Sequence, residues 1–79
     1  MIIISQDKET IVNFENIIAL NLKVGFWDEE SCAINVVSAT QTNINTLGIY
    51  PTKDRAKDVL QSIVNARSVN MYEYKMPKK

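Results

Sequence analysis

The sequence predicts an α+β domain, a curved antiparallel sheet of four to five strands covered by one C-terminal amphipathic helix, with room for a short edge strand after it. Three observations lead there. The chain holds ten Ile, seven Val and five Thr, most of them before position 50, and Cβ-branched side chains suit the pleated surface of a strand. Ile18, Leu20, Leu22, Val24 and Phe26 then alternate with Ala19, Asn21, Lys23 and Gly25, a period of two that marks a half-buried strand. After Pro51 the period changes to that of a helix.

Each element follows in order. Met1–Ser5 is a short apolar run, succeeded by the polar Gln6-Asp7-Lys8-Glu9. Thr10–Phe14 reads as a second short strand, with a turn or bulge at Glu15-Asn16. The long alternating strand comes next, with Gly25 permitting a twist or bulge near its end. Asp28-Glu29-Glu30-Ser31 forms a hairpin loop, and Cys32–Val37 returns with Cys32, Ile34 and Val36 on one face. Ser38–Asn43 is a polar turn, and Ile44–Tyr50 is the following strand, with Leu47 and Ile49 inward and Ile44 breaking the parity. Short connections make antiparallel pairing of consecutive strands the economical topology.

Thr52 is placed to cap a helix running to about Arg67. Ala56, Val59, Leu60, Ile63 and Val64 make its apolar stripe, and Asp54 and Arg67 suit the two ends of the helix dipole. Ser68 and Asn70 break the run, Val69–Lys75 has strand-like content, and Pro77-Lys78-Lys79 is expected to fray. Residues 1–76 therefore read as one domain and 77–79 as a tail.

The 79 residues include no histidine and one cysteine. These counts exclude Ser-His-Asp and Cys-His nucleophile systems, imidazole zinc sites and multi-thiolate zinc sites. Cys32 reads as a small core residue, and a single thiol suits a reducing cytoplasm. The N-terminal apolar run has neither a basic leader nor a cleavage site, and no stretch is long enough to span a bilayer. No cofactor, metal, membrane or small-molecule substrate is implied. The acidic run Asp28-Glu29-Glu30 lacks the alternating ligands and mid-loop glycine of a calcium loop.

Nine basic and nine acidic residues cancel overall but not by region. Residues 1–52 carry two basic against six acidic groups, net −4, and residues 53–79 carry seven against three, net +4. Such a split can steer a polar partner or let copies associate. Aromatic and Met side chains are enriched at interfaces, which makes Trp27, Tyr50, Tyr72 and Tyr74 the candidate interaction residues. A small sheet also leaves two edges whose backbone groups need cover, so self-association is a second route. Nucleic-acid binding is the weaker alternative, resting on Lys53, Lys57, Arg67 and Lys75 beside tyrosines. The expected protein is a non-catalytic interaction or regulatory module with a protein partner or self-association.

Ile4-Ser5-Gln6-Asp7-Lys8, Ile11-Val12-Asn13-Phe14-Glu15-Asn16-Ile17, Leu47-Gly48-Ile49-Tyr50 leading into Thr52, Arg55-Ala56-Lys57 and Val59-Leu60 together resemble a group of small uncharacterised proteins. Those proteins belong to low-GC Gram-positive bacteria and their phages. The resemblance spans nearly the whole chain and transfers no catalytic residue; it implies a prophage or mobile-element origin.

Overall fold

A computed structural model describes residues 1–25, 27–38 and 45–79. The strands are β1 (Ile2–Ile4), β2 (Ile11–Asn13), β3 (Ile17–Val24), β4 (Cys32–Ser38), β5 (Asn45–Tyr50) and β6 (Glu73–Lys75). One helix, α1 (Lys53–Ser68), lies between β5 and β6, and a 3₁₀ turn at Phe14–Asn16 joins β2 to β3.

The single antiparallel sheet expected from the sequence is replaced by two three-stranded sheets, ordered β2-β1-β6 and β3-β4-β5. The first is mixed, because β1 runs antiparallel to β2 and parallel to β6. Two causes are visible. The Asn13 side chain accepts from the Glu15 N–H at 3.1 Å and caps the 3₁₀ turn, so β2 and β3 are separated by a corner and do not pair as a hairpin. The end of the chain then returns after α1 to lie beside its beginning, where the Met76 N–H donates to the Ile4 carbonyl at 3.0 Å. Pairing between consecutive strands was the local, low-entropy expectation; pairing between the two ends needs the whole intervening chain as its crossover. Strand-like content over 69–75 yields a strand at Glu73–Lys75 alone.

Register shifts correct the inward faces of two strands. The β3–β4 register shifts between Ile17 and Ala19. Ile18 is therefore extruded, 69% exposed, while Ile17, Leu20 and Leu22 pack against the core. In β5 the pairing passes from Ile34–Gly48 to Asn35–Thr46, skipping Leu47. Leu47 and Tyr50 become the buried pair, and Ile49 is left half-buried on the other face. β4 is the central strand of its sheet, and Cys32, Ile34 and Val36 are all buried. Phe26, Ile44 and most of the 38–43 turn lie outside the described residues.

Thr52 caps α1, its hydroxyl accepting from the Arg55 N–H at 3.1 Å. The buried stripe is Ala56, Val59, Ile63 and Ala66; Val64, expected inward, is exposed and Leu60 is half-buried. Small side chains occupy three of its four buried positions, Ala56, Val59 and Ala66, so the stripe is narrower than expected. Ile3 and Tyr74 from one sheet and Ile34, Leu47 and Tyr50 from the other share its core. Full burial of each aliphatic side chain there contributes about 1.5–3 kcal/mol.

Two glycines have specific duties. Gly25 sits at φ +81° where β3 turns into the hairpin, a conformation that costs other residues strain. A Cβ on Gly48 would lie 3.0 Å from Tyr50 Cε2 and from its hydroxyl oxygen, so the absent side chain is what lets the Tyr50 ring lie across β5.

Candidate functional site

The four aromatic candidates divide into two pairs. Tyr50 is fully buried, and its hydroxyl donates to the Pro77 carbonyl at 2.8 Å. Burial, reinforced by Tyr74, pushes its phenol up to about 12, with Arg55 pulling weakly in the opposite direction. Tyr74 is buried against α1, and its hydroxyl donates to Ser62 Oγ at 2.9 Å. Met76 is buried as well. These side chains hold the core and the C-terminal segment together, and their polar atoms are satisfied internally.

Trp27 and Tyr72 face outward, at 67% and 87% exposure. Trp27 borders an open cleft of about 310 Å³ that Gln6, Asp7 and the β5 residues Thr46–Ile49 complete. Its backbone is held by the hairpin: the Trp27 N–H donates to Ser31 Oγ at 2.7 Å, and Asp28 Oδ1 accepts from Glu30 and Ser31 N–H groups at 2.9 and 2.8 Å. The acidic tip is thus partly a turn-forming device, since Asp28 serves as the acceptor that closes the loop. Among the described residues no group of three or more Cys, Asp or Glu side chains is placed to hold a metal ion.

Tyr72 belongs to a turn built by the end of α1. Asn70 adopts φ +59°, the Asn70 N–H donates to the Arg67 carbonyl at 3.1 Å, and the Met71 N–H donates to the Ala66 carbonyl at 3.0 Å. This is the Schellman arrangement, in which a left-handed residue lets the chain fold back and satisfies the last helical carbonyls. Val69, Met71 and Tyr72, all exposed, are displayed around it. Beside them runs an open groove of about 400 Å³ lined by Ser62, Asn65, Ala66, Val69, Met71 and Tyr74. Val69 carried no site signal in the sequence, where it reads as the start of a strand; Asn70 after a helical run was the available cue.

The basic candidates do not form one positive surface. Lys53 shares a groove with Glu29, Glu30 and Asp54. Arg67 lies 3.5 Å from Glu15 and 5.9 Å from the Phe14 ring centroid. Lys75 lies 3.9 Å from Glu73, and Lys57 is exposed on α1. The −4 and +4 halves of the sequence are thereby interleaved, with the acidic hairpin tip facing the start of the basic helix. Glu15 is also bonded to the Met1 amine at 3.2 Å, and that bond chiefly, assisted by Arg67, holds its carboxyl below the usual range.

No protein-family model matches the chain, and neither a curated protein nor a solved structure matches it. No helix among the described residues is long and apolar enough to cross a membrane.

Proposed function

We propose that this chain is a small non-catalytic protein-interaction module acting in the cytoplasm, with the turn after α1 as its contact surface. One observation carries the reading: Val69, Met71 and Tyr72 expose apolar side chains together on a hydrogen-bonded turn. A rigid turn lowers the entropy lost on binding, and a Tyr beside a Met and a Val is the kind of cluster from which interface hot spots are made. The fitting partner offers an apolar segment able to enter the groove beside Ala66 and Tyr74. The resemblance to small phage and Gram-positive proteins supports the same reading, because short chains without catalytic sets often act there by binding host or viral proteins.

The test compares affinity capture by the native chain and by a Met71→Ser/Tyr72→Ser double variant. Both side chains are exposed, so the melting temperature should hold within about 3 °C. Proteins recovered by the native chain and absent with the variant are the expected result. Identical recoveries by both would remove this surface from consideration.

A further inference from the structure

We propose that two copies of this chain pair through the open edge of β3, in an antiparallel register centred on Leu22. The proposal uses none of the residues of the Tyr72 surface and stands or fails independently of it.

The Gly25 N–H donates to the Ser31 carbonyl at 2.7 Å, one step beyond the Val24–Cys32 pair. Hydrogen bonding alternates by residue along an antiparallel ladder. Lys23 and Asn21 therefore turn their N–H and C=O groups toward β4, and Val24, Leu22 and Leu20 turn theirs away from it. Among the described residues no strand pairs with that outer edge. The opposite edge of the same sheet is treated differently. On β5 Gln6 takes three outward groups: its N–H donates to the Leu47 carbonyl at 2.7 Å, and its side chain bonds both Ile49 N–H and C=O at 2.8 and 3.0 Å. One edge is closed by the chain itself and the other is left ready for pairing.

Three features make a second copy the fitting occupant. With Leu22 opposite Leu22 of the second copy, Leu20 meets Val24 and Val24 meets Leu20, so every outward N–H and C=O of these residues finds a partner. The same register continues the apolar row. Leu20 and Leu22 are half-buried against the core and Val24 is 52% exposed, and each gains an apolar neighbour on the same face. Finally, Lys23 is the one charged residue of β3, and this register sets it opposite Asn21 of the second copy. A lysine on an exposed edge commonly discourages pairing; here the two lysines are kept from facing each other, and each whole chain has a formal net charge of zero.

Sedimentation equilibrium of the purified chain from about 10 µM to about 1 mM, a range that covers weak association, should show a monomer–dimer equilibrium. Asn21 is exposed, so its variants should keep the native melting profile. Asn21→Lys sets like charges opposite each other twice per dimer and should weaken association roughly 2- to 30-fold, while Asn21→Glu should tighten it over a similar range. Hydrogen exchange read residue by residue should show Leu20, Leu22 and Val24 amides protected only at high concentration, with Asn21 and Lys23 protected throughout. Monomeric mass over the whole range overturns the proposal. So does a dimer constant unmoved by both Asn21 variants, or Leu20, Leu22 and Val24 amides whose exchange ignores concentration. Protection of those amides only by an added extended peptide would likewise overturn self-pairing and assign the edge to a foreign strand.

Discussion

Replacing Gln6 with Ala should destabilise the fold far more than its place in a polar surface loop suggests. Its Oε1 accepts from the Ile49 N–H at 2.8 Å, and its Nε2 donates to the Ile49 and Lys78 carbonyls at 3.0 and 2.7 Å. One side chain thus completes β5, ties the end of β1 to the second sheet and anchors the C-terminal residues. A net hydrogen bond contributes about 1 kcal/mol. Gln6 is half-buried, so water recovers part of the loss, which leaves a cost of about 2 kcal/mol. For a domain of this size that lowers the melting temperature by about 8–16 °C, readable by circular dichroism. Gln6→Glu is the informative control: it keeps an acceptor for the Ile49 N–H but turns a carboxylate toward two carbonyls, and its cost should be at least as large. If both variants melt within about 2 °C of the native chain, the reasoning that Gln6 closes this edge is wrong.

Three further outcomes are expected. Gly48→Ala sets a methyl group 3.0 Å from the Tyr50 ring and hydroxyl, so the ring must shift by a few tenths of an ångström against its bond to Pro77, at a cost of about 1–3 kcal/mol in urea unfolding. The Tyr50 phenol is raised from 10.0 to about 12 by burial, so the fold favours its neutral form: that contribution is whole below pH 10 and is lost as pH rises toward 12. A Tyr50→Phe chain should show a flatter alkaline unfolding limb over that window, and an unchanged limb would place the titration elsewhere. Asn70→Gly should raise stability by a few tenths of a kcal/mol and Asn70→Ala should lower it by about 1 kcal/mol, because only the left-handed backbone is being tested, with thermal melts as the measure.

Much of the local structure was legible, and particular residues show where legibility stopped. The cap at Thr52 and the core places of Cys32, Ile34 and Val36 depend on chemistry within a few positions, and each appears in the pattern of neighbours. Ile18 and Ile49 misled because a bulge shifts register by one residue and reverses the faces of everything beyond it, and nothing in an alternating apolar run marks where the extra residue sits. Tyr50 and Tyr74 look no different from Tyr72 in composition. What separates them is whether α1 and the returning C-terminal segment pass over the ring.

The amino-acid order by itself determined the helix, its cap, the hairpin loop and the apolar strands, since backbone preference, capping and periodicity act over a few residues. Only the tertiary structure decided that the strands divide into two sheets, that β1 and β6 run parallel, and that one β5 edge is closed by Gln6 while the β3 edge stays open. Those outcomes depend on contacts between residues more than forty positions apart, whose entropy cost is set by the chain as a whole and leaves no local mark.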